Sequence, residues 1–143
     1  MVVLYDAECG FCRWAMAWAI TQDRGGALIA VPIQSPLGSE LLVDVLASDR
    51  LRSAHVLDED GRLYSGGAAA AEVLSVLAPT RALGRLAHRL PRSTALVYRV
   101  CAAQRQSFGR LVGREARERA DELLGAISVT TAAELESRPR ART

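Results

Sequence analysis

Val2-Val3-Leu4-Tyr5-Asp6-Ala7-Glu8-Cys9-Gly10-Phe11-Cys12 joins an apolar β-branched run, an acidic loop and two cysteines with two residues between them. Val2–Tyr5 reads as a short strand. From Gly10 the pattern turns helical, with Phe11, Ala15 and Trp18 on one face and Trp14 beside them. Arg24-Gly25-Gly26 closes that helix in the expected way, and Ala27–Ile33 reads as a buried strand. Strand, loop, helix, strand is a crossover, and a crossover favours parallel pairing.

Working outward, Ser35-Pro36 signals a helix start, because proline loses nothing by lacking an N–H in the first turn. Leu37, Leu41, Leu42, Val45 and Leu46 give that second helix an apolar stripe. Ala54–Leu57 and Arg62–Tyr64 read as strands joined by Asp58-Glu59-Asp60-Gly61, a hairpin signal. Ser65-Gly66-Gly67 leads into a third helix, Ala68–Leu77, ending before Pro79. The order β-α-β-α-β-β-α is that of a thioredoxin-like α/β fold.

Everything after that reads as helical. Arg81–Leu90 carries Arg81, Arg85 and Arg89 as one stripe, with Leu83, Leu86, Ala87 and Leu90 elsewhere on its surface. Pro91 is expected to break it, with Ser93 or Thr94 capping a helix to about Gln106. A last helix is expected over roughly Gly113–Ile127. We expect one thioredoxin-like domain over residues 1–127, with a helical extension from about 80, and a flexible polar tail over 128–143.

The chemistry lies in the cysteine pair. Disulfide exchange needs a thiolate, and a helix N-terminus stabilises one through its free N–H groups and dipole. Cys9 would stand at that terminus as the attacking thiol, with Cys12 one turn inside as the resolving thiol. Zinc would need four Cys or His ligands. Cys101 is the one further cysteine, and His55 and His88 lack ligand-like spacing, so no metal is expected. A structural pair of small buried cysteines is the bland alternative. No cofactor is expected, and the substrate would be a protein or low-molecular-weight thiol or disulfide.

Composition bounds the rest. The chain has 143 residues, 50% of them hydrophobic, enough for a core without disulfides. Three cysteines do not make a disulfide framework. No basic leader and no apolar run of about 20 residues appears, which makes the cytoplasm the expected compartment. All 18 basic residues are Arg, and they are unevenly placed. Residues 1–80 hold five Arg against ten acids, a net of −5, and residues 81–143 hold thirteen against six, a net of +7. The bland reading is two oppositely charged regions of one domain. The alternative function is a partner- or membrane-surface-binding module built on the Arg-rich helices. Those helices read as lacking the exposed Trp, Phe and Leu face that membrane surfaces select, so membrane association is not expected. Nucleic-acid binding is not expected either, with no motif and only 5% aromatic residues.

The run Tyr5-Asp6-Ala7-Glu8-Cys9-Gly10-Phe11-Cys12 resembles the signature of the DCC family of predicted thiol-disulfide oxidoreductases, named for D-x-x-C-x-x-C. Asp6, Cys9 and Cys12 match, and Ala7 stands where Gly is common. His55–Arg62 resembles the family's hairpin, Ser65-Gly66 with Ala69-Ala70 its following helix, and Tyr98, Ala102 and Arg105 a late Y-x-x-x-A-x-x-R pattern. The resemblance covers roughly residues 2–110 and implies a thioredoxin-like oxidoreductase. Ordinary thioredoxins place a cis-proline just before the third strand. Arg52-Ser53-Ala54-His55 has none.

Around the pair, Asp6 has two readings: a proton acceptor for Cys12, or a loop organiser that accepts backbone N–H bonds. Phe11, Trp14 and Trp18 read as core, with Phe11 the one placed to touch a substrate. Tyr98, Cys101, Ala102 and Arg105 share a helix face. If it meets the cysteines, Arg105 could pair with Asp6 or favour the Cys9 thiolate. Otherwise that face is packing and Cys101 a buried small hydrophobe.

Overall fold

The structure is a computed structural model and describes residues 1–137. Four strands, β1 (Val2–Tyr5), β2 (Ile29–Pro32), β3 (His55–Leu57) and β4 (Leu63–Ser65), form one sheet in the order β2-β1-β3-β4. β1 runs parallel to β2, with Val3 opposite Ala30, and antiparallel to β3, with Val3 opposite Val56. The parallel pair is joined through α1 (Gly10–Gln22), as the crossover requires. This is the mixed sheet of a thioredoxin-like α/β fold.

β1 is buried on both faces, and its alternation assigns them. Val3 and Tyr5 enter the main core with Met16, Ala17 and Ala19 of α1. Leu4 joins Val31, Ile33 and Leu42 on the other face. That second face is covered by α2 (Pro36–Leu41), with Ser35 as N-cap and Pro36 in the first turn as expected. The helix is shorter than its apolar stripe suggested. It stops at Leu41, turns, and gives way to a short α3 (Ala47–Arg50). Leu37, Leu41 and Val45 still pack onto the second core, but Leu46 is left exposed.

His55 is the one polar residue in the buried set among the described residues. Its Nε2 faces the Arg50 carbonyl at 3.0 Å and its Nδ1 lies 2.7 Å from the Ser65 hydroxyl. A carbonyl only accepts, so Nε2 donates to Arg50, and Nδ1 shares the other hydrogen bond with the Ser65 hydroxyl. His55 is therefore a structural residue.

α4 (Gly67–Val76) returns to the main face, followed by a 3-10 turn (Ala78–Thr80) and α5 (Arg81–Arg89). Pro91 does not separate two helices by a loop. It occupies the first turn of α6 (Pro91–Ala103), so α5 and α6 meet almost directly at Leu90. Neither Ser93 nor Thr94 is the cap; the Thr94 hydroxyl instead donates to the Ala87 carbonyl of α5. The helix ends at Ala103, and α7 (Arg105–Leu111) changes direction at Gln104. α8 (Arg114–Ser137) continues past the expected helix end at 127, so residues 128–137 are helical. The rest of the expected tail, 138–143, lies outside the described residues. Ala120 and Leu124 of α8 are buried in the main core, and Arg13 of α1 pairs with Asp121 at 3.2 Å.

Three expectations about burial fail. Trp14 and Trp18 are more than a third exposed, because α1 turns Met16, Ala17 and Ala19 inward. Cys101 is exposed, not buried. α5 and α6 do expose aliphatic side chains, since small residues bring them onto α4, Gly84 against Ser75 and Ala95 against Gly67. Leu83, Leu86 and Leu90 of α5 are about half exposed (54%, 51% and 49%), as are Leu96, Val97 and Val100 of α6.

That close approach gives a stability test. A Cβ on Gly84 would stand 2.5 Å from the Ser75 backbone nitrogen of α4. Gly84→Ala gains about 1 kcal/mol of helix propensity but forces the helices apart, at about 1–3 kcal/mol. We expect net destabilisation, read as a lower urea midpoint with unchanged slope; a midpoint raised by the substitution would refute the contact.

Candidate active site

The end of β1 and the start of α1 bring Asp6, Cys9 and Cys12 together. Cys9 is the N-cap of α1 with extended backbone (φ −87, ψ 111), and its Sγ accepts the Cys12 backbone N–H at 3.3 Å. A sulfur there meets an unpaired N–H and the positive end of the helix dipole. The Cys12 side chain lies one turn inside and its thiol donates to the Cys9 sulfur. Both are free thiols and both are half-buried.

Burial pushes the Cys12 thiol far up from its ordinary value; the hydrogen bond to Cys9, the Cys9 charge and the Asp6 carboxylate push the same way, and Arg105 opposes them. In the resting site Cys12 therefore holds its proton.

Asp6 organises the loop between strand and helix. Its Oδ1 accepts from the Glu8 backbone N–H at 3.0 Å and from Gln34 Nε2 at 2.7 Å. Gln34 also accepts the Ala7 N–H at 3.1 Å, so one amide side chain holds both residues that follow β1. The loop-ordering reading of Asp6 thus has direct geometry, and its carboxylate also acts electrostatically on Cys12. Ala7 creates no strain, since no non-glycine residue among those described has positive φ. Glu8 is exposed.

The face carrying Tyr98, Cys101, Ala102 and Arg105 does meet this site. Arg105 Nη1 lies 4.0 Å from Asp6 Oδ2 and donates to the Leu51 carbonyl at 2.9 Å. The Tyr98 hydroxyl accepts the Ala54 backbone N–H at 2.8 Å, and burial pushes its pKa up. Arg105 and Tyr98 thereby clamp residues 51–54, the segment where ordinary thioredoxins hold their cis-proline. Phe11 stacks between Trp14 and Phe108, with ring centroids 5.9 and 5.5 Å away.

Sequence reasoning missed Gln34 and Phe108. Gln34 was findable in principle: β1 and β2 are parallel neighbours, so the residues just after each strand stand side by side. Phe108 depended on the turn between α6 and α7, which carries no sequence signal.

Among the described residues no group of three or more His, Cys, Asp and Glu could hold a metal ion. No helix among them is long and apolar enough to cross a membrane.

Comparison with known proteins adds the family. The uncharacterized protein YuxK of Bacillus subtilis (strain 168) is 36% identical over 73 residues, covering 50% of this chain and 53% of that protein. The chain thus spans about half the length of that relative. No solved structure matches. The model of the DCC1-like thiol-disulfide oxidoreductases matches residues 3–111, from β1 through the end of α7, and takes in every residue of the site above. The chain belongs to the DCC1-like thiol-disulfide oxidoreductase family.

Proposed function

We propose that the protein exchanges disulfides through Cys9 and Cys12. The observation that carries this reading is the N-cap position of the Cys9 sulfur, which accepts the Cys12 backbone N–H at 3.3 Å, with the half-buried Cys12 thiol one turn inside. The Cys9 thiolate attacks one sulfur of a substrate disulfide. A Cys9–substrate bond forms and the other half leaves as a thiolate, which takes up a proton from solvent. Cys12 then gives up its proton and attacks the Cys9 sulfur, closing the Cys9–Cys12 disulfide and releasing the second substrate thiol. Two electrons pass from the dithiol to the substrate, and the reverse sequence oxidises a substrate dithiol. Asp6 is the acceptor for the Cys12 proton. Arg105 is a positioning residue that holds Asp6 and favours the Cys12 thiolate as it forms. Phe11 contacts the substrate beside the cysteines. We place the reaction in the cytoplasm.

A second reading adds a location for the chemistry and does not replace it. Residues 73–114 contain eight Arg and no Asp or Glu. On α5, Arg81, Arg85 and Arg89 lie beside the exposed arc of Leu83, Leu86 and Leu90. Exposed leucines next to one-sign charge suit an anionic phospholipid surface, and their exposure removes the ground on which membrane docking was set aside.

Three outcomes are expected. Cys12→Ser accumulates a mixed disulfide at Cys9 with a model disulfide, seen by mass spectrometry, whereas Cys9→Ser loses turnover by about a hundredfold or more. Equal alkylation of the two thiols and no internal disulfide would reject the exchange reading.

The raised Cys12 pKa also has a signed consequence for stability. Below the unfolded thiol pKa of about 8.5 both states hold the proton and the full stability is present. Above it the unfolded chain ionises first, so the reduced protein loses stability as pH rises. Thermal midpoints measured between about pH 7 and about pH 10 should fall, and fall less in Cys12→Ser. An identical slope in both proteins would contradict the assignment.

For docking, Arg81, Arg85 and Arg89 all changed to Gln should weaken binding to phosphatidylglycerol vesicles by about a hundredfold, at about 1 kcal/mol per Arg. Co-sedimentation unchanged by the triple substitution, or absent in the wild type, would end that reading.

A further inference from the structure

Over the main face of the sheet, α1 and α4 are separated by a cleft of about 280 Å3. Val3 and Val56 form its floor, Trp18 stands in the α1 wall, and Ala69, Ala70 and Val73 make the α4 wall. Cys12 is part of its lining, as are Asp6 and Arg105, whereas Cys9 is not. The cleft therefore opens on the resolving sulfur.

Its polar groups are already committed. Arg105 faces Asp6 and donates to the Leu51 carbonyl, and the Tyr98 hydroxyl holds the Ala54 N–H. Asp6 offsets the Arg105 charge at 4.0 Å, so the wall offers no net positive charge to an anionic substrate, and the rest of the lining is aliphatic and aromatic apart from Ser53 and the Cys12 and Cys101 thiols. The α4 wall is built from small side chains, which is what leaves the space. An apolar cavity of about 150 Å3 holds one benzene, so the cleft has room for a phenyl or indole group with its linking methylene.

We propose that this cleft receives an uncharged, apolar substituent of the disulfide substrate, of about the size of an aromatic side chain. The inference rests on the exchange reading above and names its substrate class. When Cys9 carries the mixed disulfide, in-line attack by Cys12 puts the substrate sulfur on the far side of the Cys9 sulfur, and a flexible linker lets the substituent fold back past Cys12 into the cleft. Burial of the group removes apolar surface from water and fixes the mixed disulfide for in-line attack by Cys12. Highly charged small disulfides such as oxidised glutathione gain nothing from this wall.

The test uses two disulfides with matched sulfur chemistry, N,N′-bis(phenylacetyl)cystamine and N,N′-diacetylcystamine, which differ by a phenyl ring on each half. The wild type should turn over the phenylacetyl compound with kcat/KM about tenfold higher, as roughly 1.4 kcal/mol of selective binding gives. Ala70→Leu, which fills the α4 wall, should bring that ratio close to one. Equal kcat/KM in the wild type overturns the proposal. A separate readout needs no exchange. In a Trp14→Phe, Cys9→Ser, Cys12→Ser protein, Trp18 is the sole tryptophan, and sulfur-free N-ethylphenylacetamide should shift its emission saturably. If neither disulfide is turned over, the exchange reading fails, and the Trp18 titration alone decides the cleft: saturation supports it and its absence overturns it.

Discussion

The structure depends on β1 being buried on both faces. Val3 and Tyr5 are sealed under α1, and Leu4 has no exposure beneath α2. Truncating a leucine so placed typically costs about 2–5 kcal/mol, a large part of the stability of a domain this size. A strand held that firmly cannot slip its register, since a one-residue shift would exchange its two faces. Tyr5 therefore ends at a fixed point, and Asp6, Cys9 and the first turn of α1 are placed from it. The positions of the two sulfurs follow from strand packing, with the loop adding only the Asp6 and Gln34 hydrogen bonds.

Much of this was legible in the sequence because local signals and the tertiary fold agree over residues 2–41. The β-branched run, the cysteine at a helix start and Ser35-Pro36 each say the same thing as the packing. Legibility falls off where small residues mediate helix contact. Gly67 and Gly84 let α6 and α5 lie directly on α4, so both helices can leave leucine and valine outward. A periodicity argument assumes apolar side chains face the core, and that assumption is what failed on α5, α6 and Trp18. Pro91 does end the preceding helix as the sequence suggested, and it also opens α6, since proline fits a first turn.

The late helices complete the site instead of merely enlarging the core. Tyr98 and Arg105 reach residues 51–54 from α6 and α7 and hold that backbone by side-chain hydrogen bonds. In ordinary thioredoxins a proline stiffens this segment from within. Here the restraint comes from outside, and Gly66 beside it takes a φ of 62°, a backbone conformation that residues with a side chain rarely adopt. The spacing of Tyr98, Ala102 and Arg105 follows from that restraint, with two long arms reaching down and a small residue between them at the cleft. α8 lies beyond the family match, yet Ala120 and Leu124 seal the other flank of α1.

Asp6 and Arg105 act on Cys12 with opposite signs, and their arrangement decides how the resolving thiol is controlled. A carboxylate alone beside a half-buried thiol would keep it protonated and stall release of the mixed disulfide. An arginine alone would ionise it early, and Cys12 would then compete with Cys9 for incoming disulfides. At 4.0 Å the two charges are close enough to offset each other without locking into a short bidentate pair. Burial is then the leading influence on Cys12, and burial is what an incoming substrate changes. On the exchange reading, a substrate that fills the cleft excludes water from around the pair, which deepens the burial that holds the Cys12 proton and strengthens both charges together. Of the two charges only the Arg105 guanidinium favours a Cys12 thiolate, so filling the cleft does not by itself release the proton. On the exchange reading, Cys9 acts first because its sulfur stands at the helix start, and Cys12 acts second because burial and Asp6 hold its proton until Cys9 is occupied.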